Sequence, residues 1–178
     1  MNRPPVNLKN RHLALLLAWM VPGLGHFYQG RIGKGILYST CILSLFLVGL
    51  GLADWKIVYW RWQTPMANSE TFCWPYLFQF WTGLVALPAL IQATLLHYGN
   101  GVILWGFMSV PNQTELNGLY PKLGKFVEIG SLYTMVAGLL NILAMYDAFE
   151  GPAHPEEAPA DPAQAVAPSK SVPAGASA

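Results

Sequence analysis

Gly35-Ile36-Leu37-Tyr38-Ser39-Thr40-Cys41-Ile42-Leu43-Ser44-Leu45-Phe46-Leu47-Val48-Gly49-Leu50-Gly51-Leu52-Ala53 runs for 19 residues without an acidic or basic side chain, with Ser39, Thr40 and Ser44 as its polar interruptions. The hydrocarbon core of a bilayer takes about 20 residues of helix to cross. A crossing segment must satisfy its own backbone N–H and C=O groups, which forces helix here, and no run alternates as a barrel strand would. Three further apolar stretches flank it. The first occupies residues 12–30 and opens Leu13-Ala14-Leu15-Leu16-Leu17-Ala18-Trp19-Met20-Val21. Another starts near Trp74-Pro75 and continues through Leu84-Val85-Ala86-Leu87 to about His97, and the last, Ile129 to Tyr146, lies between Glu128 and Asp147. The expected fold is all-α, a helical integral membrane protein of about four transmembrane helices, with spans near 12–28, 35–53, 75–97 and 128–147.

Composition agrees. Of 178 residues, 53% are hydrophobic and 11% charged, against roughly 25% charged in a soluble domain. No Asp, Glu, Lys or Arg occurs between Thr71 and Thr114, a gap that leaves a soluble surface without charge. A net charge of +1 argues against nucleic acid as a partner. Cys41 and Cys73 make neither a disulfide framework nor a metal-ligand spacing. Residues 1–11 read as a basic cytoplasmic N-terminus and 12–150 as the membrane domain. Residues 151–178, rich in Ala and Pro, read as a disordered tail that buries too little to offset ordering entropy.

The first segment admits two readings. Its solidly apolar part, Leu13 to Leu24, is short, and Pro22-Gly23-Leu24-Gly25 breaks it; runs of 10–14 apolar residues are as often re-entrant as spanning. With four spans, Arg3, Lys9, Arg11, Lys56 and Arg61 share the N-terminal side against Arg31, Lys34, Lys122 and Lys125. With a re-entrant first segment and three crossings the division becomes seven against two, which the positive-inside rule prefers. Both versions keep the N-terminus cytoplasmic. Five of the seven Trp lie between Trp55 and Trp81, as an interfacial aromatic belt would. Residues 112–125 carry Leu116, Leu119 and Leu123, with Phe126 next in line, at near-helical spacing, an amphipathic interfacial helix interrupted at Asn117-Gly118 and Pro121.

The densest local signal is Gly23-Leu24-Gly25-His26-Phe27-Tyr28-Gln29-Gly30-Arg31-Ile32-Gly33-Lys34-Gly35, five glycines in thirteen residues leading into the cleanest apolar helix. Glycine lets the chain turn at positive φ and lets helices approach closely. Phe27 and Tyr28 would anchor the turn at the interface, and Arg31 and Lys34 would reach lipid phosphates.

This stretch resembles the core of the two-transmembrane-helix domain, whose first helix ends in a Gly-rich turn carrying His, Phe or Tyr; the resemblance covers about Leu13 to Leu52. The chain departs from that pattern in having no Arg between His26 and Phe27, and Gln29 where Leu is usual. The final segment, Gly130 to Ala148, is similar to a bacterial membrane family known as a domain of unknown function. That similarity extends over the chain except its tail and implies a multi-span inner-membrane protein. It implies no catalytic residue.

The candidate motif is therefore Gly23, Gly25, His26, Phe27, Tyr28, Gly30, Arg31, Gly33, Lys34 and Gly35. Asp54, Glu128, Asn141 and Asp147 stand at or within membrane boundaries, where polar groups are costly and candidates for function. In the four-span arrangement Asp54 and Asp147 share a side with Arg11 and His12, and an ionic cluster is expected there. Glu128 shares the other side with Arg31 and Lys34, and a contact is expected. Pro88 and Gln92 suggest a kinked, polar third helix. No phosphate loop, dinucleotide fingerprint, zincin helix or serine elbow is present, so neither catalytic residue, cofactor nor metal is expected. The expected role is that of a non-catalytic membrane protein acting through helix–helix contacts, as a homo-oligomer or with a membrane-protein partner. Gly130/Ala137/Gly138 and Gly49/Gly51/Ala53 would supply the packing faces. The alternative is a subunit of a small channel or transporter built on the broken first segment and kinked third helix.

Overall fold

The computed structural model describes residues 9–62, 73–101 and 103–151; most of the basic N-terminus and all of the tail beyond Gly151 lie outside the described residues. Within them the chain forms α1 (Arg11–Met20), α2 (Leu24–Tyr28), α3 (Ile32–Leu52), α4 (Trp74–Gln79) continuing as a 3₁₀ segment (Phe80–Val85), α5 (Leu87–His97), a 3₁₀ turn (Leu104–Gly106), α6 (Gln113–Leu123) and α7 (Phe126–Glu150). No strand occurs among the described residues.

Two helices, α3 with 21 residues and α7 with 25, are long and apolar enough to cross a membrane. At 1.5 Å per residue α3 alone covers about 31 Å. A third crossing would require the pair formed by Trp74–Val85 and Leu87–His97 to count as one span, although its halves meet at 111°. The expected four spans thus reduce to two or three.

The pair α3 and α7 is antiparallel. Near the C-terminal end of α3 and the start of α7, the backbones touch at Gly49 and Gly130: a Cβ on Gly49 would stand 2.7 Å from the Gly130 carbonyl oxygen. At the opposite end, Arg31 and Lys34 before and within the first turn of α3 reach Asp147. The inner stripe of α7 is Gly130, Thr134, Ala137, Gly138, Asn141, Ala144 and Ala148, small residues at helical spacing that admit close approach where lipid provides no hydrophobic drive.

The first segment is not one helix. Arg11 lies over the Phe149 ring at 5.5 Å, so α1 starts at the Asp147 end of α7. Its last turn reaches Asn141, whose amide donates to the Ala18 carbonyl oxygen at 3.2 Å. The chain then turns through Gly23 at φ +84°, and α2 climbs back with Gly25 packed on α1, where a Cβ would strike the Ala14 carbonyl and stand 2.8 Å from Ala18 Cβ. Gln29 donates to the Ala148 carbonyl oxygen. Residues 11–30 therefore enter and leave at one end of the bundle, and the expected span at 12–28 is corrected to a hairpin about half as deep as a crossing helix.

The third segment repeats this from the opposite end. Tyr76 in α4 lies 5.5 Å from Trp60, ring to ring, in the loop after α3, and His97 at the end of α5 lies 6.3 Å from Trp62 in the same loop. Between them Gly83, at φ +85°, reverses the chain, and Tyr76 Oη donates to the Ala86 carbonyl oxygen at 2.9 Å, tying the two arms. Pro88 sits in the first turn of α5, where its missing N–H costs nothing; it opens a helix instead of kinking one. The polar Gln92 is spent on the following loop, bonding the Ile103 and Phe107 carbonyls and the Ile103 N–H. At this end α6 forms without interruption at Asn117-Gly118, its start held by Glu115 accepting from the Asn112 N–H at 3.1 Å.

Candidate functional site

The two hairpins carry two polar clusters onto the inner face of α7. The first is centred on Asp147. His26 Nε2 lies 2.9 Å from Asp147 Oδ2. Arg31 donates through Nη1 to the Asp147 main-chain oxygen at 3.0 Å and through Nη2 to Oδ1 and Oδ2 at 3.2 and 3.1 Å. Lys34 Nζ reaches both carboxylate oxygens at 3.2 Å, and Tyr38 Oη stands 3.5 Å from Oδ2. Lys34 and Tyr38 lie on one face of α3 by their spacing of four, with Arg31 at the residue before the helix; the α2 turn brings His26 beside them, its ring 4.7 Å from that of Tyr38. The cluster grades outward: His26 is fully buried, Arg31 nearly so, and half of the Lys34 side chain is exposed.

The glycines of the motif divide by what surrounds them. A side chain on Gly23 would strike Ser39 and the Gly35 carbonyl, and one on Gly35 would meet the Phe27 ring at 2.8 Å. Gly30 turns at φ +80° in open space, and Gly33 is open as well. Tyr28 lies under Lys9 Nζ at 5.1 Å.

The remaining boundary residues separate. Asp54 pairs with Lys122 at 3.4 Å on the exposed far end. The expected cluster of Asp54 with Asp147, Arg11 and His12 is therefore corrected: antiparallel packing puts the two aspartates at opposite ends of the bundle. Glu128 is exposed at the start of α7, a helix length from Arg31 and Lys34. The contact expected among those three is replaced by the one to Asp147.

Asn141 belongs to the second cluster, halfway down α7, where the hairpin tips meet. A Cβ at Gly83 would collide with the Trp19 carbonyl and stand 2.8 Å from that of Met20. Around this junction Gln79, Thr82, Thr134 and Asn141 are fully buried. Gln79 Nε2 donates to Thr134 Oγ1 at 2.8 Å, and Asn141 Nδ2 donates to the carbonyls of Trp81 at 2.8 Å and Ala18 at 3.2 Å. Gln79 Oε1, Thr82 Oγ1 and Asn141 Oδ1 have no protein partner. Each unpaired buried group costs about 1–3 kcal/mol, and three of them gather at this one junction. Sequence reasoning passed over Gln79, Thr82 and Thr134; the available signal was their spacing, three apart in one run and seven apart between Thr134 and Asn141.

Among the described residues, no group of three or more His, Cys, Asp and Glu side chains is arranged to hold a metal ion. No curated protein and no solved structure matches the chain. A family match covers residues 13–160, which takes in both hairpins, both long helices and both polar clusters. The chain belongs to that family of unknown function, DUF6677.

Proposed function

We propose that the protein is a non-catalytic integral membrane protein and a subunit of a small channel or transporter. In this reading α3 and α7 cross the bilayer, while α1–α2 and α4–α5 are re-entrant hairpins entering from opposite faces. The observation that carries it is the junction of the hairpin tips at Gly83, Trp19 and Met20, walled by fully buried polar side chains with unpaired atoms. Non-helical backbone at membrane depth is tolerated where protein buries it or water lines it, and broken helices meeting near mid-depth are how transporters build solute sites. The likeness of residues 13–52 to the two-transmembrane-helix domain and a bacterial inner-membrane location with a cytoplasmic N-terminus belong to the same proposal.

The alternative, a partner subunit acting through its small-residue faces, is less well supported. Gly49, Gly130, Ala137 and Gly138 are consumed by contacts inside the chain, which leaves Gly51 as the open glycine of those faces.

Thiol accessibility tests the proposal. In a background lacking Cys41 and Cys73, Thr82→Cys at the junction is compared with Leu139→Cys on the lipid face of α7, using a small water-soluble thiosulfonate on protein in liposomes. The pathway reading expects Thr82→Cys to react at least about tenfold faster. Equal inertness would leave the junction as dry packing and return the partner-subunit reading to first place.

A further inference from the structure

The Asp147 cluster holds more positive than negative charge, and one of its members can change its charge near neutrality. Arg31 and Lys34 both lie on the carboxylate, at 3.1 and 3.2 Å, so Asp147 stays ionised and its oxygens only accept. His26 Nε2, 2.9 Å from Oδ2, therefore carries a hydrogen and donates it. The second ring nitrogen, Nδ1, has no protein partner, and the side chain is fully buried. With Nδ1 bare the imidazole is neutral, and His26, Arg31, Lys34 and Asp147 together carry one net positive charge.

Histidine is the side chain that titrates between pH 5 and 8, and Nδ1 is where the proton would enter. In the docked hairpin that proton is badly placed. It sets a third cation against one carboxylate and buries an N–H that has no acceptor, which is costly. The neighbours offer no relief. From α3 come the Tyr38 ring at 4.7 Å and the Arg31 and Lys34 cations, and from α7 comes Asp147, already shared by both. α1 faces α2 with Ala14 and Ala18, without charge, while Lys9 and Arg11 lie over Tyr28 and Phe149 instead. Within reach of α2 itself, Gln29 Oε1 is unpaired as well and makes no bond to Nδ1.

Once the hairpin leaves α7, water hydrates the same imidazolium and screens it from Arg31 and Lys34. A proton thus binds the undocked hairpin better than the docked one and shifts the population toward it. Burial first, with Arg31 and Lys34 adding to it, holds the docked imidazole below its ordinary value against the pull of Asp147. Docking is then at full strength above the free value of about 6.5 and weakens by up to about tenfold per pH unit below it, until the docked value is reached.

We propose that His26 is a proton sensor: uptake of one proton from water at Nδ1 releases the α1–α2 hairpin from α7. The inference goes beyond the pathway reading, because it rests on the Asp147 cluster alone.

The test is the distance between two nitroxides on the full chain in phosphatidylcholine nanodiscs. One is placed at Leu16→Cys on α1 and the other at Val48→Cys on α3, both exposed positions, in a background lacking Cys41 and Cys73. At pH 8 a single docked distance is expected. At pH 5 at least about a third of the molecules should take a different, broader distance, and return to pH 8 should restore the first. His26→Gln, which stays neutral and can still donate to Asp147, should keep the docked distance at both pH values. His12→Gln, at the same end beside Phe149, should leave the release intact. One unchanged distance from pH 8 to pH 5 would overturn the sensor, and so would a release that survives His26→Gln or disappears in His12→Gln. Should His26→Gln lack the docked distance even at pH 8, ¹⁵N-histidine spectra of the unaltered chain decide. The His26 ring should carry one proton at pH 8, on Nε2, and two at pH 5, with the midpoint of the release; a ring that keeps one proton while the hairpin leaves overturns the proposal.

Discussion

Arg31 holds Asp147 by its main chain and its side chain at once, with Nη1 on the carbonyl oxygen and Nη2 on the carboxylate. One guanidinium thus closes the loop between the α2 turn and the last turns of α7. Truncating a buried, hydrogen-bonded ion partner leaves the others uncompensated, and with the Asp147 side chain 24% exposed Asp147→Ala should cost about 2–4 kcal/mol. Lys34, half exposed, contributes a surface-type pair, so Lys34→Gln should cost less than about 1 kcal/mol. Arg31→Lys should not restore stability, because an ammonium cannot span carbonyl and carboxylate as the planar fork does. Denaturation of the purified protein in mixed detergent micelles ranks the three; equal effects of Asp147→Ala and Lys34→Gln would refute the buried latch.

Two glycines carry the junction. A methyl on Gly83 would meet the Trp19 carbonyl, and one on Gly138 would meet that of Phe78; in both cases the obstacle is backbone and cannot rotate away. Gly83→Ala adds positive-φ strain to overpacking, about 3 kcal/mol or more in all. Gly51→Ala and Gly33→Ala, in open positions on α3, should be neutral or gain up to about 1 kcal/mol from helix propensity. Membrane abundance and Tm of the four variants should separate into two groups along that line.

Hydropathy reports how long a segment stays apolar, and that made α3 and α7 legible within a few residues. It does not report direction. Residues 75–97 have enough apolar length to cross, and Pro88 in one dimension looks like a kink; the reversal is made by Gly83, whose positive φ no composition window registers. A segment counted as a crossing moves the charges after it to the other side, so the four-span arrangement sets Asp54 with Asp147 and Glu128 with Arg31, whereas Arg11 and Asp147 share an end in either arrangement. Pro22-Gly23 marks the first segment as breakable, and its re-entrant version is readable from sequence. The second cluster leaves only the weak signal of spacing, because Gln79 gains its meaning from Thr134, 55 residues away in sequence.

At the far end α6 is held to the loop after α3 by Lys56 and Glu115 at 3.1 Å. The Lys56 ammonium, and then the Asn112 N–H, hold the Glu115 carboxyl below its ordinary value. A carboxyl whose folded pKa lies below its unfolded one contributes stability that is present above the unfolded value and lost as pH falls through the folded value. Acidification below pH about 4 should therefore loosen α6 from that loop, and Lys56→Gln should move the Glu115 titration midpoint upward. A carboxyl ¹³C titration of labelled protein reads the midpoint, and an unchanged value in Lys56→Gln would remove the pair as its cause.

In the proposed arrangement, two crossing helices and two hairpins require both ends of the described chain to emerge on one face. Arg11, Arg31, Lys34 and Asp147 lie at that end, and Asp54, Lys56, Lys122 and Glu115 at the other. The described cations, Lys9, Arg11, Arg31 and Lys34 against Lys56, Arg61, Lys122 and Lys125, divide four to four, so charge bias alone does not select an orientation, but the pairing of ends is testable without it. In a background lacking Cys41 and Cys73, single cysteines replace Gly33, Arg61, Asn100, Gly118 and Glu150, and an impermeant maleimide is applied from each side of sealed vesicles. Gly33→Cys and Glu150→Cys should label from one side, and the other three from the opposite side. Four crossings would part Gly33 from Glu150. Three crossings, with the first segment re-entrant, would part them as well, and a single spanning helix through residues 74–97 would part Arg61 from Asn100. Two returning hairpins keep both pairs together, and a cysteine at Lys9 that labels from the same side as Gly33→Cys separates them from a crossing first segment followed by one returning hairpin.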